Sequence, residues 1–423
     1  MKKIFYAIII CVLMLPLLSC GHQQGFKVLV EPTLEFEYVG AFSEGRAPVV
    51  KNGKWGYIDK NGKVVISCQY DYAEPFYDGL ARVSVNRVLN NIDLDWASFY
   101  GLINKSGETV APMDYEFIGE FKDSLAVVIQ EEKFGYLDTA GKLAVPCLYE
   151  QAGDFCEGLA AVAAEGKLGY IDTTGQVVIP FKYDYVYLHD FSEGRALVYD
   201  NGKFGFIDTT GRLVIPSKYE YLDSFSGGLA AAALVRADDH KMGYLNSDGK
   251  TVIPFAYETA GRFDDGISLV TVGDGVGQCY IDSGGYVIAR RADYEVIGNF
   301  CEGLVAVCKD SKWGFIDKTG KLAIACEYEW VSESGFNDGL AMVRKEGKWG
   351  YIDNSGRVAV PCEYAALYDF ADGFAAAIKD GKFGIVDRNG REIVPFEYEF
   401  IGYIGDGLAW MSKNGKWGIL ELN

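Results

Sequence analysis

The sequence predicts an all-β protein built as a tandem array of eleven antiparallel β-meander repeats, and three observations predict it. First, the phrase Lys54-Trp55-Gly56-Tyr57-Ile58-Asp59, closed by Gly62, returns along the chain. Its glycine falls at Gly56, Gly101, Gly135, Gly169, Gly205, Gly243, Gly314, Gly350, Gly384 and Gly418, and one more copy holds Cys279 in that slot. The spacings are 45, 34, 34, 36, 38, 36, 35, 36, 34 and 34 residues. A fixed period of this size marks a solenoid, propeller or array. Second, short apolar runs are separated by glycine-containing turns, as hairpins require. Third, no segment carries the 3.6-residue apolar period over the length of a helix. Composition agrees, with 49% hydrophobic residues, 14% aromatic residues, and 51 glycines against 11 prolines. That is enough apolar surface for a large core and enough glycine for many tight turns.

Taken in order, the chain opens on a targeting segment. Lys2 and Lys3 precede an apolar stretch from Ile4 to Leu18, and Leu17-Leu18-Ser19-Cys20 places small residues and a cysteine at a cleavage site. This resembles the bacterial lipobox, which implies removal of residues 1–19 and lipidation of Cys20. Two or more acyl chains give stable membrane attachment. Residues 20–26 form a short tether and 27–423 the array. The expected location is the bacterial cell envelope, at the outer membrane on its periplasmic or surface side.

Each unit divides alike. It opens on Phe-x-acid-Gly, as in Phe155-Cys156-Glu157-Gly158, read as a turn. An apolar strand follows (Leu159 to Val162), then a turn at Glu165-Gly166, then the Lys-aromatic-Gly-Tyr-Ile strand. Asp172-Thr173-Thr174-Gly175 closes it, the carboxylate capping a turn in which glycine takes the positive φ. A third strand, Gln176 to Ile179, runs into Pro180, and the unit ends on Tyr183-Asp184-Tyr185-Val186, a candidate fourth strand. The last unit lacks its third strand, and Lys27-Val28-Leu29-Val30 matches the missing piece. The two ends can therefore pair and close a propeller-like ring. Eleven units exceed the usual four to eight blades, so the favoured expectation is an open, curved superhelix, with the closed ring as the alternative.

These residues resemble the WG (or KWG) repeat of bacterial envelope proteins over roughly residues 27–423. The shared features are aromatic-Gly-aromatic-apolar-Asp, a D-x-x-G turn and P-x-x-Tyr-acid in register. Tyr100, Phe134, Leu168, Phe204, Met242 and Phe383 replace the tryptophan, and Gln278-Cys279 replaces the whole Trp-Gly pair. The resemblance implies a repeat scaffold with a binding role; it does not imply a reaction.

Candidate chemistry is sparse. A net charge of −19 without a basic patch argues against nucleic acid. The D-x-x-G turns offer one carboxylate each, short of a calcium loop. Three histidines and no C-x-x-C argue against zinc, and no nucleophile elbow, P-loop or dinucleotide fingerprint is present. The expectation is no catalytic residue, no metal and no cofactor. The Phe-x-acid-Gly acids, from Glu44 to Asp406, are read as turn caps or cross-repeat partners. Eight cysteines follow Cys20, with Cys326 and Cys362 the pair most worth testing as a disulfide. The binding candidates are irregular positions. One slot, two residues after the repeat tyrosine, is aromatic at Tyr38, Tyr72, Phe117, Tyr185, Tyr221, Trp330 and Phe400. A longer insertion between Val85 and Tyr100 carries Ile92, Leu94 and Trp96, and is read as a binding loop or a cap. The partner expected first is another envelope protein, and second a glycan; a glycoside-active enzyme, which a close pair of carboxylates in a cleft would mark, is a distant third. Solvent-facing rings in the aromatic slot favour sugar, and buried rings favour a protein-binding scaffold.

Overall fold

The Lys-aromatic-Gly phrase forms the third of four strands in an antiparallel sheet. One unit shows the pattern: Phe117–Lys122, Leu125–Gln130, Lys133–Asp138 and Leu143–Tyr149 pair in chain order. The second strand is buried along most of its length, as in Leu159–Ala164. A strand covered on both faces reads as an unbroken apolar run rather than an alternation. The fourth strand alternates, as an edge strand with one covered face should. The structure is a computed structural model and describes residues 25–90, 95–234, 241–273, 277–290, 293–332 and 335–423.

The WG glycine lets the fourth strand approach. A Cβ at Gly56 would stand 2.5 Å from the Ile66 carbonyl oxygen and 2.6 Å from the Cys68 nitrogen. Where Cys279 fills this slot, it still pairs with the fourth strand, opposite Arg290.

The sheets are the blades of a closed ring, which corrects the expected open superhelix. Phe26–Leu34 supplies the fourth strand of the last blade, pairing Lys27 with Glu421 and Val30 with Ile419. Apolar clusters join each blade to the next, from Tyr57 with Phe76 between blades 1 and 2 to Ile385 with Leu420 between blades 10 and 11. A further cluster unites Val39, Phe42 and Val49 of blade 1 with Leu408, Trp410 and Ile419 of blade 11. Closure pairs the edge that an open array would leave bare. The strands form ten hydrogen-bonded sheets, one of them six-stranded. That sheet holds two repeats, because Leu213–Leu222 is at once the fourth strand of one blade and the first of the next.

Two further expectations change. The Tyr-acid-aromatic segment opens the next blade instead of ending its own, with Tyr72 opposite Ser84 and Ala73 opposite Val83. Its acid caps the hairpin of that next blade: Gly53 N donates to Glu37 at 3.0 Å and Gly347 N to Glu329 at 3.0 Å. The described part of the insertion after Val85 is strand. It lengthens a hairpin, Leu80–Asn90 with Asp95–Asn104, in which Asn86 faces Ser98 and Val88 faces Trp96.

The Phe-x-acid-Gly acids link blade to blade. Glu44 accepts from Gly79 N at 2.9 Å, Asp372 from Gly407 N at 2.9 Å, and Asp406 from Gly45 N at 2.6 Å, across the ring closure. Lys105 of blade 2 also pairs with Glu44 of blade 1 at 2.8 Å. This hydrogen bond is the main cause that lowers the Glu44 pKa below its ordinary value of 4.5.

Two outcomes are expected. Gly56→Ala should lose about 1–3 kcal/mol of stability by forcing the third and fourth strands apart, read by thermal or denaturant unfolding; an unchanged midpoint would contradict the packing. A carboxylate with a lowered folded pKa stabilises the fold above its unfolded value and loses that contribution as the pH falls through the folded one. The melting temperature should therefore hold from pH 7 down to about 4.5 and decline below it. Glu44→Gln should lower the neutral-pH value and shrink the acid decline.

Candidate ligand-binding surface

One residue pins each blade to the next. After the WG glycine comes Tyr57, whose ring lies 4.9 Å from Phe76 of the following blade. Its hydroxyl donates to the Glu74 carbonyl at 2.6 Å. Tyr136 repeats the arrangement with Phe155 and the Gly153 carbonyl, Tyr170 with Phe191 and His189, and Tyr244 with Phe263 and Gly261. Burial is the main cause that pushes the Tyr244 phenol up to about 12, so it remains a donor at any physiological pH.

Five junctions depart from this. Phe206 and Phe315 hold the slot between blades 5 and 6 and between blades 8 and 9, and they keep the ring contact, with Phe225 at 4.7 Å and Phe336 at 4.9 Å, without a hydroxyl. At the ring closure Ile419 holds the slot, and Trp410 of the neighbouring strand takes over. Its Nε1 donates to the Gly40 carbonyl at 2.9 Å and its ring stacks 5.6 Å from Phe42. Between blades 2 and 3 the slot holds Leu102, and Arg82 substitutes. Its Nη1 donates to the Ile118 carbonyl, while Nε and Nη2 donate to Glu74 at 3.0 and 2.9 Å. A cleft of about 570 Å³ remains there, lined by Leu102, Phe121, Tyr77, Leu80 and Lys122. Between blades 10 and 11 the slot holds Ile385, and Ala376 stands where Trp410 and Arg82 stand in their blades. A second cleft of about 330 Å³ opens between Tyr368 and Tyr403.

The predicted aromatic slot opens the first strand of its blade at Tyr38, Tyr72, Phe117, Trp330 and Phe400, while Tyr221 lies near the end of the strand that two blades share. Tyr38, Tyr72, Phe117 and Tyr221 are 42–45% exposed, and Tyr185, Trp330 and Phe400 are half-buried. Tyr185 precedes a segment without a regular first strand. Trp330 packs edge-on against Trp349 at 5.0 Å. Around the ring closure the rings make an unbroken chain. Tyr368 meets Phe383, which meets Phe400 at 5.4 Å, which meets Tyr403 at 5.5 Å. Tyr403 meets Tyr38 at 6.1 Å, Tyr38 meets Trp55 at 5.1 Å, and Trp55 meets Tyr72 at 5.7 Å.

Tyr368 and Tyr403, the exposed members beside the second cleft, escape the sequence reading. The signal was present: the last unit replaces Phe-x-acid-Gly by Ile404-Gly405-Asp406-Gly407, directly after Tyr403. Tyr403 also takes a φ of 52°, whereas the other described non-glycine residues with positive φ are Asp, Glu, Asn or Ser. An aromatic side chain in this region costs on the order of 1–3 kcal/mol.

Cys20, Ile92 and Leu94 lie outside the described residues. Trp96 is described by its backbone only, in a strand rooted by Arg87, which donates to Asp114 at 3.0 Å and to the Met113 carbonyl at 2.7 Å. The eight described cysteines are free thiols, so Cys326 and Cys362 form no bridge. Burial, the first cause for each, raises both thiol pKa values. Among the described residues no group of three or more His, Cys, Asp and Glu is placed to hold a metal. One carboxyl stands out: Asp190, against Gly153, has its pKa raised by desolvation first and by Asp154 second.

The sequence matches the family described as WG containing repeat at residues 26–55, 55–87, 100–134, 134–167, 169–204, 204–234, 242–275, 280–313, 313–349, 349–383 and 383–417. No curated protein matches it. Among solved structures, a eukaryotic initiation factor is similar at 12% identity over 69% of this chain and 92% of the other, with a TM-score of 0.41. Kluyveromyces lactis Hsv2 is similar at 13% identity over 73% and 98%, with a TM-score of 0.31. PorZ, a bacterial surface component of the type-IX secretion system of Porphyromonas gingivalis, is similar at 9% identity over 90% and 68%, with a TM-score of 0.22.

Proposed function

This chain belongs to the WG-containing repeat family, and we propose that it is a lipid-anchored, non-catalytic binding ring of the bacterial cell envelope whose ligand is a polysaccharide. The observation that carries the ligand class is the exposure of the aromatic slot. Four of its seven rings face solvent and three are half-buried, the arrangement that favours sugar over the protein partner expected first from sequence. The recurring polar residues support a binding role that leaves them structural. The turn acids, the connecting-strand acids and the third-strand tyrosines are engaged within and between blades. Open aromatic faces with hydroxyl edges are left to meet a ligand. The negative charge of the chain selects against polyanions.

The anchor rests on Cys20 and its lipobox context. Cys20→Ala should release the protein from membranes into the soluble fraction, and palmitate still incorporated into that variant would refute the assignment. For the ligand, the lipid-free ring (residues 21–423) should be retarded in native gels containing a neutral polysaccharide and pass unretarded through gels lacking it. A ring that no such polymer retards, yet that recovers one envelope protein stoichiometrically, would replace the glycan by the protein partner. Release of reducing sugar from a retarding polymer would overturn the non-catalytic reading.

A further inference from the structure

The missing pin between blades 10 and 11 opens a cleft with a particular chemistry. Ile385 and Ile404 stand where the tyrosine and phenylalanine of other junctions stand, and Ala376 supplies no replacement donor. The space, about 330 Å³, is floored by Ala376, Ile401 and Phe400 and walled by Tyr368 and Tyr403, with Asp369 at its edge. Tyr368 is 49% exposed and Tyr403 41%. The backbone of Tyr368 is fixed by the hydroxyl of Tyr351, which donates to its carbonyl at 3.0 Å. Phe400, with Phe383, Tyr403 and Trp417 all within 5.6 Å, makes a rigid aromatic base. Tyr403 reaches its position only by taking the left-handed backbone conformation, a strain that the fold itself does not need, since the turn that follows it is formed in other units without an aromatic there.

We propose that this cleft is a subsite for one neutral pyranose of a polysaccharide, held between Tyr368 and Tyr403, with the polymer continuing over Tyr38 and Tyr72. The inference rests on the glycan reading above and assigns its place. A pyranose offers an apolar C–H face and a rim of hydroxyls. The cleft answers with aromatic walls, two phenol hydroxyls and one carboxylate acceptor, a small number of polar groups in an otherwise apolar recess. A simple apolar side chain would leave Asp369 and the phenols without partners as water is displaced. The chain of rings runs from the cleft through Tyr38 and Trp55 to Tyr72, so the neighbouring sugars of a linear polymer meet further exposed faces. The acidity of the protein leaves neutral sugars as the matching class.

The test uses the lipid-free ring with soluble β-glucan, mannan and α-glucan as probes, by affinity electrophoresis and by titration of tryptophan fluorescence, to which Trp417 contributes. The wild type should bind at least one of the three. Tyr403→Ala and Tyr368→Ala should each weaken that binding about tenfold or more, while Tyr286→Ala, at an exposed tyrosine of blade 7, should leave it unchanged. Tyr403→Gly separates binding from folding, because it removes the ring and relieves the backbone strain. It should melt at or above the wild-type temperature and bind as weakly as Tyr403→Ala. Binding by the wild type that both tyrosine variants retain in full would overturn the subsite and leave the glycan reading standing. Binding of none of the three polymers by the wild type would overturn both.

Discussion

Everything in this ring depends on the contact that the residue after the WG glycine makes with the next blade. Where that residue is tyrosine, it joins two kinds of interaction at one side chain. The ring stacks on the phenylalanine of the neighbouring turn, and the hydroxyl satisfies a carbonyl that the junction would otherwise bury unpaired. The first term is non-directional, whereas the second fixes orientation at the junctions that carry it. A constant rotation per repeat determines the curvature of an array. Here the curvature brings the last blade back to the first, where Phe26–Leu34 waits as the missing strand. The acid-to-glycine bonds run around the same junctions and cross the closure as well.

At two of the exceptions another residue keeps the hydrogen bond. Arg82 and Trp410 occupy the same position of the second strand in blades 2 and 11, and both follow a change in the third-strand slot, to Leu102 and to Ile419. Each delivers an N–H to the carbonyl segment of the next blade that a tyrosine would have reached. The exchange also changes shape. An indole fills the space of the lost phenol, whereas a guanidinium drawn aside by Glu74 leaves a recess. With neither present, as at Ile385 and Ala376, the recess has apolar walls, and the exposed tyrosines gather beside it. The two clefts at these junctions therefore lie where the repeated contact changes.

The sequence made the unit legible and left its phase and its closure open. The turns, the second and third strands and the structural use of the acids could be read from Phe-x-acid-Gly, Lys-aromatic-Gly and D-x-x-G, because those features are local. The Tyr-acid-aromatic segment was placed in the wrong blade, since a two-residue strand such as Tyr72–Ala73 carries no period of its own and its pairing is decided by the acid beside it. Closure depends on the sum of eleven junction angles, which no single repeat encodes. The insertion read as a loop because Asn, Asp and Leu alternate there without a clear strand signal. Cross-strand pairs at Asn86–Ser98 and Val88–Trp96 nevertheless extend the hairpin. At the candidate site the aromatic slot was found, but Tyr368 falls in the slot whose carbonyl accepts the tyrosine hydroxyl, held elsewhere by Glu74, Gly153 or Gly261. Tyr403 falls in no recurring aromatic slot, so the grouping of the two became visible only beside the cleft.

The two ends of the described chain lie side by side, since Asn423 N donates to the Gly25 carbonyl at 2.9 Å. The seam in blade 11 is thus one break in a closed circle of blades. A short linker between these ends would convert the polypeptide into a loop that could be opened instead at another inter-blade connection. Circular permutants begun just before Tyr72 or Trp330 would keep the arrangement of blades while moving the free ends, and with them any attachment to a surface, to another sector of the rim.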